Sequence, residues 1–485
     1  MNKRFYLLSW AWAWVCGALG AQPLEPALQL SATRSTPTAA TLSVQTLHLH
    51  NAGARPTELV CTRKGPVPRR PDSAPAEPTE IPDDSDVAQA LAQALTAMDA
   101  RSEPAPRTGA VRLQKTANLR VAIWGDSHMA AAFFSDQLMR QITGPAGPNQ
   151  DTLSQRFVHA GVGHGGVRGL VRKTCLSGEW GREMAYAHSG AAAAPGPGMT
   201  SLVAKRSGAT LALDLRDAQG QPRHTRLQIL HHGEASGTTR LAISVDGQAE
   251  SELSLSPQAG PHAVALSTDV PLSTLQIRVL EGAFRFQGLK LAEPASPTAL
   301  HLDLFAYPGA TVAGWVRSDL PSLATWFTDQ TYDLSLIAFG TNEGNDPRFS
   351  ETAYRDTLNK ALGNFRQVFP QTQCVLIGPG DRGIRVVKSK TTKKTKAKKG
   401  SKKPAIDLLK FSRIHAQIGQ IQSELATQHG CLSWRMQEAM GGVGSAYAWA
   451  RKSPPLMAPD LIHFTPTGYR ELAKRFMADM DLTAP

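Results

Sequence analysis

The sequence predicts an α/β domain, a parallel sheet with helices on both faces, interrupted by a β-sandwich. Two stretches, about 119–175 and 300–480, alternate apolar strand-like runs with helical patterns, which is how a doubly wound parallel sheet reads. Between them, from about 208 to 293, come short alternating runs (TLALDL, RLQILHH, RLAISVDG, HAVALS, LQIRVLEG, FRFQGLKLAE). Gly or Pro separates them, and no long helical pattern intervenes. The apolar runs of the two α/β stretches end in glycine and small polar residues, at the edge where such a sheet binds ligands.

Residues 1–21 read as a signal peptide: Lys3 and Arg4, a short apolar run, then Ala18, Gly20 and Ala21. The run is shorter than the ~20 residues a spanning helix needs, and Pro23 follows. Residues 22–118 are rich in Pro, Ala and Thr and read as a linker, with helical spacing only over 87–98. VAIWG (121–125) reads as a strand and Ala130 to Leu138 as the helix after it. SGAAAAPGPG (189–198) reads as a flexible joint. After 300, LHLDLFAYPGATVAGW gives strand, turn and helix, and DLSLIAFGTNEGND a strand and polar loop. YRDTLNKALGNFRQVF and IHAQIGQIQSELATQH are helices, and CVLIGPGDRG and CLSW are strands. The expected limits are 119–185 and 296–485 for the two parts of the α/β domain, and 186–295 for the sandwich.

The net charge of +12 raises nucleic acid as a partner, but nine lysines lie in VVKSKTTKKTKAKKGSKKP (386–404), which leaves +3 elsewhere. No aromatic residues interleave them, so there is no stacking platform and no nucleic-acid partner is expected; the stretch reads as a solvated loop. Cys61, Cys175, Cys374 and Cys431 remain after signal cleavage, an even number in an exported chain, with three possible pairings. No Cys/His cluster has zinc-like spacing, so neither a metal nor a cofactor is expected. His231 and His232 sit in a strand pattern and read as surface histidines pointing to opposite faces. No segment beyond the signal is apolar enough to span a membrane.

The strand ends hold the chemistry. The first ends in Asp126-Ser127-His128, the second in Pro308-Gly309-Ala310, the third in Gly340-Thr341-Asn342-Glu343 and the fourth in Gly378-Pro379-Gly380-Asp381. APDLIHFTPTGY (458–469) adds Asp460 and His463. A serine hydroxyl becomes a nucleophile when a base takes its proton, and His463, oriented by Asp460, supplies one. Backbone N–H of Ser127 and Gly309 and the amide of Asn342 are suitable oxyanion donors. His128, beside Ser127, is too constrained to be the base and reads as a supporting residue. Glu343 reads as a helix cap, and Trp315 and Trp449 as buried.

Gly-Asp-Ser127-His, Gly309, Gly-Thr-Asn342-Glu and Asp460-Leu-Ile-His463, in that order, resemble the four blocks of the SGNH (GDSL-like) hydrolase family, over 119–175 and 300–480. The histidine after the serine and the sandwich between blocks one and two resemble the Ape1-like peptidoglycan O-acetylesterase branch. The resemblance implies a flavodoxin-like sheet and a jelly-roll insert like a carbohydrate-binding module. It also implies a catalytic Ser127, His463 and Asp460 and an oxyanion hole of Ser127, Gly309 and Asn342. The implied protein is an esterase of the periplasm or cell envelope acting on acetylated peptidoglycan or another anionic glycan. An O-acetyltransferase with the same residues, an esterase for another acetylated glycan, and a non-catalytic glycan-binding protein stay open, as does the oligomeric state. The family's acidic residue after the serine is replaced by Ala132, and Gly314 rivals Gly309. In a flavodoxin-like strand order Cys374 and Cys431 open neighbouring strands, so they are expected to pair, leaving Cys61 for Cys175.

Overall fold

The molecule is described by a computed structural model covering residues 40–53, 58–61, 119–143, 153–187, 193–235, 237–293, 300–385 and 406–480. The signal stretch, the helical pattern at 87–98 and the lysine-rich 386–404 lie outside the described residues.

Six strands form a parallel sheet: β1 (Leu119–Gly125), β2 (Leu153–Ser154), β3 (Leu300–Ala306), β4 (Leu334–Ala338), β5 (Gln373–Ile377) and β6 (Leu432–Trp434). Their spatial order is β6-β5-β4-β1-β3-β2. Apart from the two-residue edge strand β2, this is the flavodoxin-like order, with β1 at the centre and the chain running outward on each side of it. Successive side chains of a strand face opposite ways. Val121 and Ile123 pack in one apolar cluster with Phe134, Leu138, Leu472 and Phe476 of helices Phe133–Thr143 and Pro466–Asp479. Ala122 and Trp124 pack in another with Leu358, Phe365, Ile418 and Leu425 of helices Glu351–Val368 and Lys410–Gln428. A strand buried on both faces must be apolar throughout, which is why VAIW carries no alternation. Trp124 stacks on Phe305 at 4.3 Å between ring centroids and meets Trp315 at 4.8 Å. Trp315 and Trp449 are both buried.

Two further sheets form the sandwich. One runs Ser43–Leu49, Gly260–Leu272, His224–Gly233, Phe284–Leu291, Thr200–Ala204, Trp180–Met184, with Phe157–His159 also on Phe284–Leu291. The other runs Ser251–Leu255, Thr239–Val245, Thr274–Glu281, Thr210–Asp214, Lys173–Ser177. All pairs are antiparallel except the first, in which Ser43–Leu49 lies parallel to Gly260–Leu272. Leu227, Ile229 and Val264 of one sheet share an apolar core with Leu211, Leu241 and Ile243 of the other.

Four sequence expectations are corrected here. The sandwich is wider than 186–295: strands at 43–49 and 173–184 belong to its sheets, paired to partners too far along the chain for local pattern to show. The joint is not flexible where it is described. Ala193 and Asp319 exchange backbone contacts with Arg317 and Ala193 at 2.9 and 2.6 Å, and Trp326 donates to the Pro195 carbonyl at 3.0 Å. A Cβ on Gly196 would lie 2.3 Å from the Gln287 oxygen, so glycine serves close packing there. His231 is buried, not on the surface, because it shares the inner face of the sheet with Ile229 and stacks near His262 at 5.4 Å. The helix after β1 is broken: Ser127–Ala130 and Phe133–Thr143 are separated by Ala132, which has a φ of 63°. Both expected disulfides, Cys374–Cys431 and Cys61–Cys175, are present.

Candidate active site

β1 stops at Gly125, and Asp126 turns the chain into a one-turn helix, its carboxylate accepting the His128 N–H at 2.9 Å. Ser127 is thus the first residue of a helix, and its N–H has no acceptor within that helix. The ends of the two neighbouring strands are tied beside it: Tyr307 N–H donates to the Gly125 carbonyl at 3.1 Å and Asp126 N–H to the Ala338 carbonyl at 3.3 Å. Gly309, just past β3, and Asn342, just past β4, therefore flank Ser127. Gly309 has a φ of 82°, a conformation that glycine adopts without penalty. Asn342 donates through Nδ2 to the Ala310 carbonyl at 2.8 Å, which fixes the amide plane and leaves its second N–H free to donate.

The loop before helix Pro466–Asp479 brings in Asp460 and His463. Ser127 Oγ lies 3.0 Å from His463 Nε2, and His463 Nδ1 lies 2.7 Å from Asp460 Oδ2. Asp460 Oδ1 accepts the N–H groups of Ile462 and His463, both at 2.9 Å, so a single carboxylate shapes the turn and orients the ring. Burial pushes Asp460 upward, but the His463 ring and those two N–H groups outweigh it and hold its carboxyl at about 2. The same ring–carboxylate bond raises the His463 pKa above the ordinary value, against burial. An imidazole with Nδ1–H held by a carboxylate presents its Nε2 lone pair to the hydroxyl, the state needed to take a proton.

Behind this edge lie two buried carboxyls. Burial raises Asp126 to about 6 and Glu343 to about 7, and the Asp126 charge contributes to the Glu343 shift. Glu343 Oε2 accepts the Gly340 N–H at 3.1 Å, the expected helix cap, and Oε1 accepts the Val312 N–H at 2.9 Å. One side chain thus ties the loop after β3 to the turn after β4, the two segments that carry Gly309 and Asn342. His128 is buried, bonded through Nδ1 to the Tyr469 hydroxyl at 3.1 Å, and burial lowers its pKa to about 3. It is a neutral ring whose centroid lies 5.4 Å from that of His463.

No protein-family model matches the sequence, and no curated protein matches it either. Among solved structures the chain is similar to a peptidoglycan O-acetylesterase, with a TM-score of 0.53 and 17% identity over 81% of this chain and 95% of that one. The chain shares the overall fold of that structure. Two other structures superpose less well. They are a GDSL-like lipase from Parabacteroides merdae (TM-score 0.27, 16% identity, 38% and 74% covered) and a family two carbohydrate esterase from Cellvibrio japonicus (0.23, 13%, 63% and 99%).

In this fold all five residues singled out from the sequence sit at one sheet edge, with Ser127, His463 and Asp460 in a hydrogen-bonded chain. Gly314 does not compete with Gly309: it lies inside helix Ala313–Arg317 with its N–H bonded to the Thr311 carbonyl at 3.1 Å. Asp381 ends β5 at the same edge but turns inward, accepting from Gln437 Nε2 and Ala446 N–H, each at 2.7 Å, and from the Ser412 hydroxyl. Three neighbours were not read from the sequence. Arg382 follows Asp381, bonds the Asn345 side chain and lies in the field of Asp460; the strand-end rule would have reached it one residue further on. Tyr186 donates to the Pro308 carbonyl at 3.3 Å beside Gly309, and no local signal marks it. The third is a cleft of about 270 Å³ lined by His164, Arg168, Arg172 and Lys173. Arg168 N–H donates to the Ala130 carbonyl at 2.9 Å, at the end of the Ser127 helix, and Gly166 lies against the Pro308 ring. Among the described residues no helix is long and apolar enough to cross a membrane.

Proposed function

We propose that the protein is an exported serine esterase that removes O-acetyl groups from a polysaccharide, with O-acetylated peptidoglycan as its substrate. The observation that carries the reading is the chain from Ser127 Oγ through His463 to Asp460, with contacts of 3.0 and 2.7 Å at the end of the central strand. Ser127 Oγ attacks the acetyl carbonyl carbon while His463 Nε2 takes its proton. The oxyanion is held by the N–H groups of Ser127 and Gly309 and the Asn342 amide. The bond from the carbonyl carbon to the sugar oxygen breaks, and His463 returns the proton to that oxygen. Water, deprotonated by His463, then attacks the acetyl-Ser127 carbonyl carbon, the bond from that carbon to Oγ breaks, acetate leaves and His463 returns the proton to Oγ.

Two observations support the glycan. The solved structure that shares the fold over most of both chains is described as a peptidoglycan O-acetylesterase. The cationic cleft beside the Ser127 helix suits a substrate bearing carboxylates, as peptide-substituted glycan does. Two disulfides fit an oxidising, extracytoplasmic compartment. The test is acetate release from O-acetylated peptidoglycan and from acetylated xylan, with and without sugar acceptors. Faster release from peptidoglycan, unaffected by acceptors, is expected. Transfer of acetyl to an added sugar would make the protein a transferase, and preference for xylan would reassign the substrate.

A further inference from the structure

Strand Ser43–Leu49 lies at the edge of the sandwich, with His48 level with Ser267 of the neighbouring strand. Residues two apart on a strand share a face. His48 and His50 therefore project on the same side, and Asp269, two residues beyond Ser267, projects with them. His48 Nε2 lies 3.0 Å from Asp269 Oδ1 and His50 Nδ1 3.3 Å from Asp269 Oδ2, and the possible donor atoms all fall within 4.8 Å of one another. Around a tetrahedral ion with arms of about 2.0–2.2 Å, donor atoms stand roughly 3.4 Å apart; the two His–Asp separations, 3.0 and 3.3 Å, are close to that spacing, and the whole group spans at most 4.8 Å.

The groups that orient the donors are also present. Ser267 Oγ bonds His48 Nδ1 at 2.9 Å, which directs Nε2 to Asp269. Asp269 Oδ2 accepts the N–H groups of Asn51 and Ala52 at 3.0 and 3.3 Å, which pins the carboxylate. The site is open to solvent: the His50 side chain is 85% exposed and that of His48 46%, so water can complete the coordination shell. The sequence shows no such motif because Asp269 lies 219 residues beyond His50.

We propose that His48, His50 and Asp269 bind one divalent transition-metal ion, of the Zn²⁺, Ni²⁺ or Cu²⁺ class that imidazole favours. The ion clamps the N-terminal strand to the sandwich. Ca²⁺ and Mg²⁺, which take oxygen ligands, do not occupy the site. It stands on the sandwich, outside the chain of groups around Ser127, and is independent of the esterase reading.

The test uses untagged protein stripped with chelator and dialysed. Zn²⁺ is titrated by calorimetry, Co²⁺ by its visible absorption, and Ca²⁺ is added as competitor. One Zn²⁺ per chain is expected, undisturbed by Ca²⁺. His50→Gln removes an 85% exposed donor whose hydrogen bond, among the described residues, is to Asp269 alone, and leaves the pairing of strand Ser43–Leu49 intact. It should weaken Zn²⁺ binding by more than the roughly 10–100-fold cost of losing only an orienting partner. Amide exchange across 43–49 should slow on adding Zn²⁺ to the wild type and not to His50→Gln. Absence of saturable one-to-one binding, or equal binding by wild type and His50→Gln, overturns the site. Binding that leaves exchange across 43–49 unchanged overturns the clamp.

Discussion

Asn342→Ala separates the oxyanion role from a binding role. In the folded protein the side-chain amide makes one bond, Nδ2 to the Ala310 carbonyl at 2.8 Å. Losing that bond should lower stability by about 1 kcal/mol. The second N–H is the one that would meet the oxyanion. Removing a single preorganised donor costs about 2.7–4 kcal/mol of transition-state stabilisation, or roughly 10²–10³ in kcat. The two effects differ in magnitude and in readout, so they can be measured apart. Urea unfolding gives the first, and steady-state hydrolysis of a small acetyl ester gives the second, with KM nearly unchanged. A loss confined to KM would refute the assignment and make Asn342 a substrate-binding residue, and a fall in kcat of less than tenfold would leave it a structural tie for the loop after β3.

Other perturbations probe the remaining groups. Ser127→Ala should reduce ester hydrolysis to background while the unfolding midpoint stays close to wild type; retained turnover would end the serine mechanism. With His463 as the proposed neutral base, kcat/KM should fall as pH drops through a His463 pKa that Asp460 holds above the ordinary value. In Asp460→Asn this acidic limb should move to lower pH as the maximal rate drops; a pH profile that does not move would show that Asp460 is not the raising group. Replacing Arg168 and Lys173 by alanine should lower kcat/KM on peptidoglycan at low salt and leave a neutral acetyl ester untouched, with the difference fading as salt is added. The Cys61–Cys175 bridge spans 114 residues, for which chain entropy gives a ceiling of about 4–5 kcal/mol. The Cys61→Ser, Cys175→Ser double variant should melt well below wild type, and an unchanged melting temperature would show that the bridge does not restrain the unfolded chain.

The sheet edge was legible because the rule that reads it is local. A strand buried on both faces is an apolar run, its end is marked by glycine, and whatever follows stands at the carboxyl edge. Ser127, Gly309 and Asn342 were reached that way; Asp460 and His463 follow no strand and were singled out by their spacing in APDLIHFTPTGY and by the family resemblance. What local pattern could not show depends on pairing across long stretches. Ser43–Leu49 falls in the stretch that reads as linker, and only its partner, more than two hundred residues on, makes it a strand of the sandwich. Asp381 carries the same strand-end mark as the site residues, yet Ser412, Gln437 and the Ala446 N–H draw it inward. The break at Ala132 was hidden because alanine is a good helix former and seldom takes a positive φ.

The seam between sandwich and parallel sheet has a consequence for how a polymer is handled. Phe157, Leu230 and Ala263 on the sandwich side share one apolar cluster with Phe305, Phe327 and Trp124. A module on a loose tether raises the effective concentration of its partner without choosing among positions along it. A module seated on a shared apolar core has no such freedom. Under the function proposed above, a sugar held by the sandwich would stand at a fixed distance from Ser127, so the sandwich would act as a ruler for which acetyl group along the strand is cut.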